Sequence, residues 1–347
     1  MWMRWARPDR ELPPGGFAPV MATGIVSQAV GSAGARWLSD GLLAVAVAMY
    51  GLLLAAWARR VMRHRHDVAA ELRDPATVFG FFTFVAGSDV LATRLAAGPW
   101  WPAAATLLAV ALPVWPALMW CAGRVVRGLG PAGALRRVEG GWFLCVVGLQ
   151  SVVLAAGALE PHRALAAKTA GWALGVVLYV VVATGVAGRL LRFGVRPREL
   201  TPPYWVTMGA CAISLLAGAR LVAQGLGTSP LRAPVEGFLL VMWGWATCLL
   251  PVLVAAGVWR HGVHRVPLSY EPTWWTIVFP LGMYSVSTAA VGAAEGPYGL
   301  VAVGHVMAWA ASVAWALVSF GAWAGRRSGQ KKWSRNGKVP RPAPSGR

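Results

Sequence analysis

Asp89 and Arg94 stand five residues apart inside one apolar run, and Arg220 lies near the end of another. A carboxyl group at mid-depth of such a run can take up and release a proton, and the arginines can attract an anion. The same residues can serve structure instead, with Asp89 paired to Arg94 or Arg220 and locking two helices, or with the arginines marking an interface. An ionisable group in that setting costs about 3 kcal/mol on the insertion scale and needs a partner or water. A bare carboxylate in a narrow anion path would repel the substrate, so Asp89 is not expected to line a constriction in ionised form. The hydroxyls of Thr23, Ser27, Ser151, Ser214 and Ser285 recur in similar runs. They can offer protons to a passing anion, or bond back to their own helix.

Other chemistries find little support. Four of the six histidines (His64, His66, His261, His264) fall in basic loops and His162 in another loop, leaving only His305 within an apolar run. A bis-histidine haem needs paired histidines at matched depth. Cys121, Cys145, Cys211 and Cys248 lack C-x-x-C spacing, so a zinc site or disulfide framework is not expected and packing roles are. There is no Walker motif. No metal or cofactor is expected, and no enzymatic activity.

The elements that must position these residues are membrane spans. Of 347 residues 57% are hydrophobic and only 13% charged, and the mean hydropathy is +0.54. Runs of about 20 apolar residues, enough to cross a bilayer, recur along the chain. They read as ten spans at roughly 17–32, 39–58, 77–97, 101–123, 140–159, 164–188, 203–224, 234–258, 272–292 and 298–323. An N-terminal segment 1–16 precedes this 17–325 domain, and a polar, basic tail 326–347, read as disordered, follows it. The N-terminus lacks a cleavable signal pattern. Twenty-six of the 32 Lys and Arg fall on one side of this alternation. The positive-inside rule makes that side cytoplasmic and predicts an inner-membrane protein with both termini inside. The net charge of +19 sits in loops and tails, so nucleic acid is not an expected partner; the lipid bilayer is.

The odd-numbered spans resemble one another: FAPVMATGIVS, FGFFTFVAGSDV, GWFLCVVGLQS, YWVTMGACAIS and WWTIVFPLGMYS. Their central glycines, Gly24, Gly87, Gly148, Gly209 and Gly282, recur at about one helical hairpin's length, which suggests five stacked hairpins. Five helices with glycine at mid-depth can ring an axis, with leucine- and valine-rich even helices facing lipid. The competing reading is that the glycines serve helix packing alone. Gly175, on an even span, is expected to face lipid.

The string VMATGIVS, the pattern WW-x-x-x-FP in WWTIVFPLGMYS, and the strings FGFFTFVAG and YWVTMGACAIS resemble the tellurite-resistance/C4-dicarboxylate transporter family over about 17–325. That family includes tellurite-resistance channels, fungal malate and sulfite transporters and the plant slow anion channel. The resemblance implies an all-α integral membrane fold, ten helices as five hairpins in quasi-fivefold array, with odd helices lining a central pore and subunits forming a homotrimer. It also implies a phenylalanine plug before a kinking proline, here Phe279 and Pro280. Three residues before each repeat glycine, the same layer holds Met21, Phe84, Cys145 and Val206. Phe84 is thus expected beside Phe279 in a dry constriction. Gly24, Gly87, Gly148, Gly209, Gly282, Ser27, Ser151 and Ser285 are expected along the pore.

The function expected is passage of small anions, whether C4-dicarboxylates such as malate, inorganic anions, or oxyanions including tellurite and sulfite. Channel and secondary carrier both fit. The alternatives are a non-transporting membrane scaffold and, behind it, a membrane redox protein.

Overall fold

The structure, a computed structural model, describes residues 12–226, 230, 232–294 and 298–336. Among these there is no strand. The α-helices are α1 (Ala18–Ser32), α2 (Arg36–Arg63), α3 (Arg65–Glu71), α4 (Phe82–Leu95), α5 (Trp101–Arg137), α6 (Leu144–Leu159), α7 (Leu165–Phe193), α8 (Val206–Ala223), α9 (Arg232–Val258), α10 (Trp275–Ala294) and α11 (Tyr298–Asn336). Among the described residues nine helical segments are long and apolar enough to cross a membrane. The chain is therefore an all-helical, multi-pass membrane protein. The segment expected as the first span, α1, has 15 residues. At 1.5 Å per residue it is about 22 Å long, short of the roughly 30 Å hydrocarbon layer.

Two kinds of helix alternate. In α4, α6, α8 and α10, taken with the turns that lead into them, 67–78% of the apolar window is buried; in α2, α5, α7, α9 and α11 it is 17–33%. The buried set starts from similar local chemistry. Short 3-10 turns at Val78–Phe81, Gly140–Phe143, Pro202–Trp205 and Pro272–Trp274 precede α4, α6, α8 and α10. Prolines stand at the start of α1 and of the last two turns, where the missing N–H is one that no helix bond would have used. The neighbours form a closed cycle. α1 packs on α4, α4 on α6, α6 on α8, α8 on α10, and α10 back on α1, while each also packs on the long helix that follows it.

Aromatic hydrogen bonds tie each long helix to the next buried one. Tyr50 of α2 shares a hydrogen bond with Ser88 of α4 (2.9 Å). The indole of Trp115 on α5 donates to Cys145 O on α6 (2.9 Å), and that of Trp172 on α7 to Ser214 O on α8 (2.9 Å). Trp243 of α9 donates to Thr288 of α10 (3.3 Å), and Trp315 of α11 to Thr23 of α1 (2.9 Å). Backbone carbonyls and hydroxyls inside a bilayer have no water to turn to, so such bonds both satisfy them and fix the helix pairs.

The arginine-rich end is held by polar contacts. Arg60, 2% exposed, forms a forked pair with Glu71 at 2.9 and 2.6 Å and lies over the Trp57 ring. Arg189 reaches Val138 O, Tyr204 and Glu199. Helix α5 breaks at Gly130, whose φ of 65° suits glycine, just before Pro131. Helix α11 runs on through Asn336, beyond the boundary expected at 325. Residues 1–11 and 337–347, most of the two expected terminal segments, lie outside the described residues.

Candidate functional site

The five buried helices are short and the helices around them long, so the bundle is recessed at its centre. At the end away from the arginine-rich turns this recess is a cavity of about 360 Å³. All five buried helices line it, through Ile25 and Gln28 (α1), Val90, Thr93 and Arg94 (α4), Ser151 and Leu154 (α6), Ile213, Leu216 and Arg220 (α8), and Met283 (α10). Gln224, just past α8, completes the polar part. Among the described residues the lining carries two guanidiniums and no carboxylate. Its base is apolar apart from Ser151.

Arg94 and Arg220 thus come together at one cavity, but among the described residues neither forms an ion pair with Asp89. Arg94 Nη2 donates to Ser39 Oγ (2.8 Å), which turns it toward α2. Asp89 is fully buried, and its side-chain contact is the Ser151 hydroxyl, 3.1 Å from Oδ2. Arg94 lies more than one turn along α4 from Asp89, and that rise, together with its bond to Ser39, carries it away from the carboxyl.

Phe279 is fully buried one helical turn before Met283, and so on the same face of α10 just beneath the cavity. Met21 stands in the same relation to Ile25 on α1 and is also fully buried. Pro280 lies within α10. The ring contacts of Phe84 are with other aromatics than Phe279. Phe84 precedes Thr93 by nine residues, half a rotation at 100° per residue, and its ring packs edge-on against Phe17 (centroids 5.2 Å) and stacks with Tyr50 (6.4 Å).

The repeat glycines lie at seams between helices, and none lines the cavity. A Cβ at Gly24 would stand 2.7 Å from Val90 Cγ1, and one at Gly282 2.9 Å from Ile25 Cγ2. At Gly209 it would meet the Pro280 ring at 2.8 Å, and at Gly148 Trp115 and Phe82 at 3.1 and 3.3 Å. Gly87 faces Phe17 and Val20 at ordinary contact distance. Close approach of neighbouring helices accounts for these residues. Gly175 does not face lipid, since a Cβ there would collide with Gln150. Of the hydroxyls, Ser151 reaches the cavity. Ser27 donates to Ser39 O (2.8 Å) and Ser285 to Gly304 O (2.7 Å), each pointing at its outer helix. Cys145 and Cys211 are buried, whereas Cys248 is exposed.

Gln28, Thr93 and Gln224 are cavity residues that the sequence reading passed over. Gln224 accepts from Lys168 Nζ (3.0 Å) and donates to Gly157 O (3.0 Å). Lys168 also binds the carbonyls of Glu160 and Pro161, a cation at the C-terminal end of α6. Polar residues one to two turns beyond a repeat glycine, as Gln28 is to Gly24 and Thr93 to Gly87, would have signalled the cavity. Outside the spans, burial pushes the Glu139 carboxyl above its usual range, with Arg189 acting in the opposite direction.

A cavity with arginines, amides and hydroxyls over an apolar floor suits an anion that sheds part of its water. Comparison with known families agrees. The model of the SLAC1 family, described as voltage-dependent anion channel, matches residues 11–323. The chain belongs to that family. It is 44% identical over 144 residues to an uncharacterised membrane protein of Mycobacterium tuberculosis, covering 40% of this chain and 72% of the relative. It is 24% identical over 301 residues to an uncharacterised transporter of Methanocaldococcus jannaschii, covering 80% and 83%. A second uncharacterised transporter of that archaeon is 27% identical over 167 residues, 45% of this chain and 47% of the relative. As a member of the SLAC1 family the chain is placed among membrane transporters of anions.

Proposed function

We propose that this chain conducts small anions along the axis of its five buried helices, with α1 as a tenth span and the ten helices arranged as five hairpins in quasi-fivefold array. The observation that carries the reading is the cavity itself. All five buried helices line it, it presents Arg94 and Arg220 with no acid among the described residues, and Phe279 lies one turn beneath it. The arginines raise the local concentration of anions at the outer mouth. Below them the fully buried Phe279, just before Pro280, closes the way, because a hydrated ion cannot cross an apolar constriction without losing water uncompensated. Opening requires the ring to move. The chemistry is translocation, with no covalent step.

The substrate class is small anions, with C4-dicarboxylates such as malate, inorganic anions, tellurite and sulfite as candidates. The SLAC1 resemblance supports a homotrimer in the plasma (inner) membrane with both termini cytoplasmic. Purified protein in liposomes, assayed with chloride, nitrate, sulfite and malate, tests the reading. Flux of at least one anion that rises in Phe279→Ala is expected. No flux of any from well-folded protein would favour a scaffold. A reporter after Arg327 should be cytoplasmic.

A further inference from the structure

Lys168 stands in the first turn of α7 and is 5% exposed. An ammonium carries three N–H donors. All three go to neutral oxygens: Pro161 O at 2.8 Å, Glu160 O at 2.9 Å and Gln224 Oε1 at 3.0 Å. The Glu160 carboxylate is turned elsewhere, to Arg163 at 3.7 Å, with its side chain 61% exposed. Among the described residues Lys168 is thus hydrogen-bonded but not ion-paired. A buried charge without an ionised partner is costly. Two of its partners, Pro161 and Gln224, belong to the cavity wall, so an anion in the cavity would supply the counter-charge.

The Gln224 amide is fixed at both ends. Lys168 can only donate, so the atom facing it is the oxygen. A carbonyl can only accept, so the atom facing Gly157 O, at 3.0 Å, is the nitrogen. A flipped amide would lose both bonds. The second N–H of that nitrogen has no partner among the described residues, and Gln224 lines the cavity. Gly157 makes room for this arrangement, since a Cβ there would stand 2.9 Å from Gln224 Nε2 and 3.0 Å from Oε1. Arg220 lies one helical turn before Gln224, on the same side of α8. It lines the cavity, and its guanidinium forms no hydrogen bond or ion pair among the described residues.

We propose that the outer cavity holds one oxyanion at the corner made by Arg220 and Gln224, and that Lys168 is the positioning residue that keeps the Gln224 N–H turned to it. The guanidinium fork takes two oxygens of one anion, and the amide N–H takes a third. The ammonium behind the wall polarises the amide and offsets part of the bound charge. A trigonal oxyanion such as nitrate fills these donors together. Chloride, a single centre, does not span the fork and the amide. This rests on the transport reading above and names the ligand class of its outer site, but equilibrium binding is measured without flux.

The test uses full-length protein in nanodiscs, titrated with nitrate against chloride at constant ionic strength and followed by calorimetry. Liposome flux of nitrate supplies KM and the maximal rate. Wild type should bind nitrate saturably. Gln224→Met, Lys168→Met and Gly157→Ala should each weaken that binding by about two- to tenfold, the worth of one hydrogen bond. KM should rise by the same factor with the maximal rate little changed. Gly157→Ala covers the case in which Lys168→Met fails to fold, because its methyl meets only the end of a flexible side chain. A Lys168→Met protein that melts lower yet binds nitrate as wild type does would reduce Lys168 to a cap on α6 and overturn its positioning role. Absence of saturable nitrate binding by wild type overturns the site and leaves transport to be judged by flux. Binding without flux of any anion keeps the site and removes the transport reading.

Discussion

The indole nitrogen of Trp315, on the last helix, donates to the hydroxyl of Thr23, on the first, across 2.9 Å and 292 residues of sequence. Thr23 passes its own proton to Pro19 O at 2.7 Å, so the bond is held at both ends. Trp315→Phe keeps much of the ring and removes the donor. It should cost about 0.5–1.5 kcal/mol, read as a lowered unfolding temperature in detergent. Trp120, 63% exposed on α5, is the control, and Trp120→Phe should leave that temperature unmoved.

Phe279→Ala should raise anion flux in liposomes, because it removes the ring beneath the cavity. Phe84→Ala should not. Its ring belongs to the Phe17–Tyr50 cluster, and its loss should lower stability by up to about 3 kcal/mol with no gain of flux. Increased flux in Phe84→Ala alone would return Phe84 to the constriction.

Arg220→Gln halves the formal charge of the cavity lining. Flux at low salt should fall several-fold, and the difference from wild type should shrink as ionic strength rises and screening replaces the lost attraction. Equal loss at all salt concentrations would point to misfolding rather than attraction, which a melting curve separates.

Gly209→Leu should disrupt the α8–α10 seam, where a Cβ already meets Pro280 at 2.8 Å. Overpacking of this kind costs about 1–3 kcal/mol. Gly244→Leu, on α9 with nothing within 4 Å of a Cβ, should be tolerated. Thermal unfolding of the two variants checks the difference.

Burial raises the Glu139 carboxyl above its ordinary value, with Arg189 opposing. Below that ordinary value folded and unfolded forms are both protonated, and the residue contributes its full share of stability. As pH climbs through the raised value the folded form must hold an ion it disfavours, and the share is lost. The unfolding temperature should therefore fall as pH rises from about 4.5 through that window, and Glu139→Gln should flatten the slope.

Much of the helix order was readable because a bilayer demands long apolar runs, and the glycine spacing marked where helices come close. Which way a residue points was harder. Counting three back from a glycine gives a depth, but the face depends on how the helix is rotated about its own axis. For α4 that rotation shows in contacts remote in sequence: Phe84 on Phe17 and Tyr50, and Arg94 on Ser39. Ser27 and Ser285 were misplaced for the same reason, since their acceptors are backbone carbonyls on other helices. The tryptophan bonds to Cys145 O and Ser214 O are invisible in sequence too, because any residue supplies a carbonyl.

Because Trp315 meets Thr23 as the other outer helices meet their neighbours, the junction between chain ends is built like every other junction in the bundle. The order in which the helices are threaded is then a matter of synthesis rather than of architecture. Joining the ends by a linker and opening the chain between α7 and α8 should give a circular permutant that inserts, folds and keeps its cavity. During natural synthesis α1 must wait, one flank open, until α10 and α11 are released.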